Sequence, residues 1–118
     1  EAARRAPSWH NSQCWRFIVV RDNDIKSRLA DTLIADPTIG EFNPAAKAIR
    51  TAPVVIAACA KTGVSGYSEG KPVTDKGAYW YMFDVALAMQ NLALAAHSLG
   101  LGTVLVGASD AGEAASVL

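Results

Sequence analysis

Apolar and polar segments alternate along the chain and predict a few short strands separated by helices. Residues 15–21 (WRFIVVR) and 53–60 (PVVIAACA) are rich in β-branched and aromatic side chains, which is typical of largely buried strands. Residues 103–106 (TVLV) predict a third, shorter strand. Helices that alternate with buried strands indicate an α/β or α+β domain built around a small sheet.

Local signals predict where the shorter helices begin and end. Asp22, Asn23 and Asp24 are candidate caps for a helix that runs to about Ala35 with its apolar residues on one face. Residues 36–44, interrupted by two prolines and a glycine, predict a loop, and the glycine-containing residues 61–76 predict a mobile surface loop. The other predicted helices are a helix end at residues 1–6, a short helix at 45–50 and a last helix capped by Asp110.

Residues 77–99 predict a long central helix that is apolar on almost every side. Asp84, Gln90 and Asn91 interrupt the apolar run and alanine makes up much of its bulk, so we reject a membrane span in spite of its length. A helix that is apolar all round is enclosed by protein, and a domain of this size suggests that a second subunit covers it. Gly100 is expected to end this helix.

The composition narrows the classes of partner. The chain of 118 residues carries 11 basic and 11 acidic side chains, so its formal net charge is zero and neither nucleic acid nor a membrane surface is an expected partner. Its length predicts a single domain over residues 1–118. Cys14 and Cys59 are too few for a disulfide scaffold, so we expect reduced thiols in a cytoplasmic protein, and the sequence shows no metal-binding spacing.

The polar segment at residues 8–13 (SWHNSQ) is the main candidate for a binding site. Indole rings beside hydroxyl and amide groups suit a flat ligand with heteroatoms at its edge. The alternative is an ordinary helix-to-strand turn whose polar side chains bond to its own backbone, and the residue types alone favour that turn. The glycines between Gly100 and Gly107 follow a helix and precede a strand, the reverse of the dinucleotide-binding order, so they do not predict a Rossmann fold.

Residues 1–20 (EAARRAPSWHNSQCWRFIVV) resemble the opening of the nitroreductase family, the flavin-dependent NAD(P)H oxidoreductases, in which Ala-Pro-Ser-x-x-Asn-x-Gln-Pro-Trp leads into the first strand. The resemblance continues in family order through Lys47 and residues 52–56, 84–96 and 100–107. It implies an α+β fold with three α/β/α layers, in which a small mixed sheet is flanked by helices and a long central helix forms a homodimer interface. Cys14 departs from the pattern, because the family has proline there.

The resemblance also implies FMN at the subunit interface and assigns residues to it. Ser8, Trp9 and Asn11 would be contributed from the partner subunit and lie along the flavin and its ribityl chain, and Lys47 would lie near the pyrimidine edge. Backbone amides of residues 105–107 would approach the isoalloxazine near N5. The implied cofactor-binding residues are Arg5, Pro7, Ser8, Trp9, Asn11, Gln13, Lys47, Leu105, Val106 and Gly107.

The implied activity is hydride transfer from NAD(P)H to flavin N5 and then to an electron-poor acceptor such as a nitroaromatic, quinone or enone, in a ping-pong sequence. No side chain is expected to act as an acid or base. Tyr79, Trp80 and Tyr81 are expected near the substrate opening, and burial in a dimer core is the equal alternative for them.

Two other functions stay open at this point: a flavin carrier or sensor without turnover, and a dimerisation domain with a degenerate site. The family pattern also includes an N-terminal Arg-rich segment that binds the FMN phosphate and a C-terminal strand. We expect both to be missing from residues 1–118.

Overall fold

The computed structural model describes residues 1–35, 38 and 43–118, so most of the predicted loop at 36–44 lies outside it. Within these ranges the chain combines four α-helices with two two-stranded sheets, β1 with β2 and β3 with β4, which confirms the predicted α+β class. The helices are α1 (Asn23–Asp31), α2 (Ala45–Thr51), α3 (Trp80–Ser98) and α4 (Ala111–Val117). The strands are β1 (Trp15–Val20), β2 (Val55–Ala60), β3 (Tyr67–Ser68) and β4 (Lys71–Pro72). Short 3₁₀ helices cover Ala2–Arg5, Trp9–Asn11 and Gly77–Tyr79.

The chain packs as two compact units. The first consists of Glu1–Phe17 and Ala58–Thr103, and the second of Ile18–Ala57 and Val104–Leu118. The single domain expected from the length stays a prediction.

The core of the first unit forms around α3. Val85 and Ala88 pack against buried residues from the start of the chain, among them Ala3 and Trp15. Small alanines at this contact let the first 3₁₀ helix approach α3 closely, and the Asn91 side chain donates a hydrogen bond to the Ala2 carbonyl at 3.4 Å. The N–H of Lys61, just after β2, donates to the carbonyl of Cys14, just before β1, at 2.8 Å. The end of β2 therefore lies beside the start of β1, in antiparallel sense.

The second unit is held by helix caps and one buried amine. The Asp22 carboxylate accepts hydrogen bonds from the backbone N–H groups of Asp24 and Ile25, both at 2.9 Å, and so starts α1 at the predicted place. The Lys26 ammonium group is buried and donates to the Ala52 carbonyl at 2.8 Å, which satisfies a carbonyl at the end of α2.

Helix α1 ends at Asp31, four residues before the predicted end at Ala35. The Thr32 hydroxyl donates back to the Leu29 carbonyl at 2.8 Å, a local bond that competes with continuation of the helix. The Thr32 carbonyl accepts from the Asp110 N–H at 2.9 Å, and an isolated antiparallel bridge joins Leu33 to Ser109. Contacts with a segment far away in sequence thus replace the last predicted turn.

The predicted strand at residues 103–106 is wrong for the described chain. These residues form no ladder, and Val104 and Leu105 are 66% and 61% exposed. Their β-branched residues favour the extended backbone of a strand, but a strand also needs a neighbouring strand to accept and donate its backbone hydrogen bonds.

The predicted loop at residues 61–76 is structured in the middle. β3 and β4 form an antiparallel hairpin, with Tyr67 opposite Pro72. Ser65 and Gly66 at its base are buried, and the Val73 N–H donates to the Gly66 carbonyl at 3.0 Å. The segment therefore contains a hairpin that the sequence did not predict, with a buried base, while residues 61–63 and 68–76 are exposed at the surface as predicted.

Helix α3 ends as predicted. Gly100 has φ +77°, and its N–H donates to the His97 carbonyl at 2.9 Å while the Leu101 N–H reaches the Ala96 carbonyl at 3.0 Å. This is the left-handed C-terminal cap that favours glycine.

We predict that Gly66→Ala destabilises the protein by about 3 kcal/mol, since it combines a left-handed backbone with steric overlap. Gly66 has φ +77°, and an added Cβ would overlap the Trp80 ring and lie 2.6 Å from the Gly77 carbonyl oxygen. Gly63→Ala is the matched control, because Gly63 has φ +70° with no atom within 4 Å of the added carbon. Urea unfolding of both variants measures the difference, and equal losses would contradict the steric argument.

Candidate functional site

A carboxylate inside α3 organises the polar segment near the start of the chain. Asp84 is 1% exposed, and both of its oxygens accept from the Trp9 backbone N–H, at 3.1 and 3.2 Å. The hydroxyl groups of Ser12 and Ser65 donate to Oδ2 at 3.2 and 2.6 Å, and the Cys14 thiol donates to the same atom at 3.7 Å. One side chain therefore connects α3, the hairpin base and the segment before β1.

Desolvation of a carboxylate is costly unless hydrogen bonds replace its water. Among the ion pairs of the described residues, none involves Asp84. Its charge is stabilised instead by hydrogen bonds from neutral donors, which are strengthened when the acceptor is ionised. Removal of any donor leaves the same buried charge less well solvated.

The segment that Asp84 holds, residues 8–14, is called the signature loop below. His10, Asn11 and Gln13 have φ of 44°, 54° and 46°, in the left-handed region that costs a residue other than glycine about 1 kcal/mol. The Gln13 N–H donates to the Ser8 hydroxyl at 2.9 Å, and the Gln13 side-chain amide donates to Asn11 Oδ1 at 3.1 Å. Such conformations persist only where the surroundings hold them, and they cluster at functional sites.

An open groove of about 400 Å³ lies beside the signature loop. Arg5, Asn11 and Gln13, all predicted cofactor residues, are brought together in its wall. Two exposed ion pairs, from Arg4 and Arg5 to Glu1 at 3.4 Å each, lie along it, and pairs of this kind are weak. The guanidinium groups are therefore available to an anionic or carbonyl-bearing ligand. The lining residues are Glu1, Arg4, Arg5, Ala6, Asn11 and Gln13.

Two aromatic residues of the predicted site, Trp9 and Trp80, form a cluster with Phe83 at the start of α3. The ring of Trp9 packs against Trp80 with 4.9 Å between ring centroids, and Phe83 meets Trp80 edge-on at 5.7 Å. The Trp80 indole N–H donates to the Thr74 hydroxyl at 2.9 Å, which ties this cluster to the segment after β4. The Trp9 and Trp80 rings are tilted by 41° to each other.

The two tyrosines that flank Trp80 differ in environment. Tyr79 is 67% exposed, whereas Tyr81 is half-buried and packs against the core of the first unit. Of the three predicted substrate residues, Tyr79 is therefore the most open to solvent, and the packing of Tyr81 agrees with a core role.

The remaining predicted residues are exposed or half-buried. Pro7 is exposed and Ser8 is half-buried in the signature loop. Lys47 is exposed on α2, and a Cβ added to Gly107 would meet no atom within 4 Å, so both are accessible. Leu105 is exposed and Val106 half-buried, and these two residues, Lys47 and Gly107 all belong to the second unit.

Arg4, Ser65 and Asp84 are not among the predicted site residues, although Arg4 lines the groove and Ser65 and Asp84 lie beneath the signature loop. In the sequence Asp84 only interrupts an apolar helix, but a lone carboxylate in such a helix is itself a strong signal, because it must find donors. Ser65 carried no signal, since its loop was predicted to be mobile.

Two further properties concern the described part of the chain alone. Its His, Cys, Asp and Glu side chains form no group of three or more that could hold a metal ion. Across the same residues, none of the helices has the length and mean hydropathy needed to span a membrane.

The chain belongs to the nitroreductase family, whose profile matches all of residues 1–118. A relative from Methanothermobacter thermautotrophicus, provisionally named an NADH dehydrogenase/NAD(P)H nitroreductase, is 32% identical over 107 residues, 91% of this chain and 46% of the relative. A similar relative from Archaeoglobus fulgidus is 35% identical over 91% of this chain and 51% of its own length. The chain thus spans about half the length of the curated relatives it matches.

Solved structures agree with this assignment. A nitroreductase family protein from Clostridium novyi NT superposes with a TM-score of 0.79 at 30% identity, over 98% of this chain and 57% of the other. Oxidised iodotyrosine deiodinase, solved with FMN and 3-iodo-L-tyrosine, matches with a TM-score of 0.68 at 21% identity, which shows a shared fold. This match covers 98% of this chain and 64% of the deiodinase chain.

Burial raises the pKa of the Cys14 thiol above its usual range, and the adjacent Asp84 charge raises it further. The unfolded chain releases this proton at an ordinary pKa of about 8.5, whereas the folded chain keeps it. The free energy of unfolding is therefore expected to fall as the pH rises above about 8.5, until the folded-state pKa is passed.

Denaturant unfolding between neutral and alkaline pH tests this expectation. Cys14→Ala should lose part of the pH dependence, and Cys59→Ala, a half-buried thiol in β2, should keep it. Identical slopes for Cys14→Ala and the unchanged protein would show that Cys14 does not titrate differently in the two states.

Proposed function

We propose that this protein is an FMN-dependent oxidoreductase that takes a hydride from NAD(P)H and passes it to an electron-poor small molecule in a ping-pong sequence. Membership of the nitroreductase family and the names of the archaeal relatives support this class of reaction. The observation that carries the proposal is the signature loop, held in a strained left-handed conformation with its amide side chains in a groove that two arginines also line.

The groups in this groove suit FMN. A flavin nucleotide presents a phosphate, ribityl hydroxyls and the carbonyl edge of its ring system. Arg4 and Arg5 supply guanidinium donors for phosphate or carbonyl oxygens, and Asn11 and Gln13 supply amides that both donate and accept. A structural neighbour, iodotyrosine deiodinase, binds FMN on the same fold.

When bound, FMN supplies the chemistry, since flavins accept and donate hydride. The chain's own residues bind and orient it. Asn11 and Gln13 would donate and accept its hydrogen bonds, and the Trp9–Trp80 pair keeps the loop against α3. The groove contains no side chain that we assign as an acid or base.

We also propose that two copies of the chain form a homodimer and that Lys47 and residues 105–107 contribute to the FMN site. Helix α3 carries exposed apolar side chains, with Met82 at 59%, Phe83 at 57% and Leu94 at 58% exposure. Large apolar side chains left exposed on one helix favour an interaction surface there. Lys47 and Gly107 are accessible on the second unit, as a ligand-contacting side chain and backbone require.

The reduced thiols suit a cytoplasmic location.

The absorption spectrum of the purified protein, recorded before and after anaerobic NAD(P)H, tests the activity. We expect a flavin spectrum that NAD(P)H bleaches and that a quinone or nitroaromatic restores. A bound flavin that NAD(P)H does not bleach would instead indicate a carrier or sensor. Protein that stays colourless after incubation with FMN and desalting would contradict the proposal.

Asn11→Gly tests the assignment of the groove. Glycine adopts φ 54° without steric cost, so the loop keeps its shape while the amide side chain is removed. We expect the Kd for FMN to rise about fivefold, which is the effect of one lost hydrogen bond. The melting temperature of the protein should change little. Quenching of flavin fluorescence measures the Kd.

The matched control is Glu69→Gly. Glu69 also has a left-handed backbone, φ 49°, and is exposed in the turn between β3 and β4. This variant should bind FMN as the unchanged protein does. An equal loss of affinity in both variants would remove Asn11 from the site.

A further inference from the structure

The groups that donate hydrogen bonds to Asp84 are unequally distributed along the chain. Three of them, the Trp9 N–H, the Ser12 hydroxyl and the Cys14 thiol, come from the signature loop, and one, the Ser65 hydroxyl, comes from the base of the hairpin. The left-handed residues of the loop lie between or beside these anchoring points. The loop is therefore fixed to α3 at both ends and in the middle, while its strained residues lie on the stretch between.

This arrangement separates two faces of the same loop. Backbone and small side chains point inward to a carboxylate that is 1% exposed, and Asn11 and Gln13 are exposed and line the groove. Their side chains also bond to each other at 3.1 Å, which restricts the rotamers of both. We therefore expect a change in the inner contacts to shift the amides in the groove.

We propose that Asp84 is a positioning residue for ligand binding: by accepting hydrogen bonds from the signature loop, it holds the loop in the conformation that places Asn11 and Gln13 in the groove. This inference rests on the proposed function in one respect, which is that the ligand of the groove is FMN. Asp84 itself is buried beneath the loop and acts through it.

The chemistry of the carboxylate explains why this position needs an acid. Two carboxylate oxygens offer about four lone-pair sites and no proton, which suits several converging donors. An amide of the same shape offers one accepting oxygen and two N–H donors. With the amide oxygen at the Oδ1 position, the Trp9 N–H keeps an acceptor, and the hydroxyl groups on the other side can turn round to accept from the amide N–H. Each of these bonds nevertheless loses the strength that a charged acceptor gives it. Since three of the four donors belong to the signature loop, Asp84→Asn weakens the attachment of that loop most.

Asp84 could position the signature loop or only stabilise the fold, and these two roles predict different effects of removing the Ser12 and Ser65 hydroxyl groups. Ser12 and Ser65 donate to the same oxygen, Oδ2, at 3.2 and 2.6 Å, one from the loop and the other from the hairpin. If Asp84 acts by positioning the loop, loss of the Ser12 hydroxyl should affect ligand binding more than loss of the Ser65 hydroxyl. If Asp84 only stabilises the fold, affinity should follow stability in both variants.

The experiment compares Asp84→Asn, Ser12→Ala and Ser65→Ala with the unchanged protein. The Kd for FMN is measured by flavin fluorescence quenching, and the melting temperature is measured without ligand. We expect the Kd to rise about thirtyfold in Asp84→Asn, as for hydrogen bonds to a charged group, and about fivefold in Ser12→Ala, where one long bond is lost. Ser65→Ala should change the Kd less than about twofold while lowering the melting temperature at least as much as Ser12→Ala.

Unchanged FMN affinity in a folded Asp84→Asn protein would overturn the proposal. Equal Kd changes in Ser12→Ala and Ser65→Ala, in proportion to their melting temperatures, would also overturn it. If Asp84→Asn does not fold, the comparison between the two serine variants decides the question by itself.

Failure of the proposed function is recognised separately, because the unchanged protein then binds no FMN. In that case, amide hydrogen exchange of the ligand-free protein tests the positioning role. We expect faster exchange at the Trp9 and Gln13 amides in Ser12→Ala than in Ser65→Ala. Equal exchange in both variants would overturn the proposal without reference to any ligand.

Discussion

The hydrogen bonds accepted by Asp84 are the interactions on which the first unit depends. A buried carboxylate without a basic partner is tolerated only where several donors surround it, so the segments that supply these donors must meet at α3. The start of the chain supplies Trp9, Ser12 and Cys14, and the hairpin base supplies Ser65. Segments far apart in sequence thus meet at one carboxylate group, and Val85 and Ala88 pack in the apolar core around it.

The same interactions account for the shape of the candidate site. Left-handed backbone at His10, Asn11 and Gln13 is unfavourable by itself, and it persists because the flanking residues are fixed to α3. The result is a loop whose inner face forms its hydrogen bonds with Asp84. Its outer face presents amide side chains to a groove beside Arg5. Preorganisation of this kind lowers the entropic cost of binding a ligand.

The family resemblance and the residue chemistry lead to different predictions for residues 8–13. The motif at residues 1–20 indicated the nitroreductase family, and the family profile and solved structures confirm it. The residue types alone favoured an ordinary turn at residues 8–13. Internal bonds such as Gln13 N–H to Ser8 Oγ are indeed those of a turn, but the three left-handed residues are more than a turn of this length requires.

Features with a local cause were predictable from the sequence: the Asp22 cap of α1, the Gly100 cap of α3, the strands at Trp15 and Val55, and the family motif. Each depends on interactions within a few residues or on a side-chain period. The early end of α1 at Thr32, the absence of a strand at 103–106 and the contact of Trp9 with Trp80 depended on segments distant in sequence. The sequence showed that Asp84 interrupts an apolar helix, but only the folded chain shows which donors reach it, because burial brings them together.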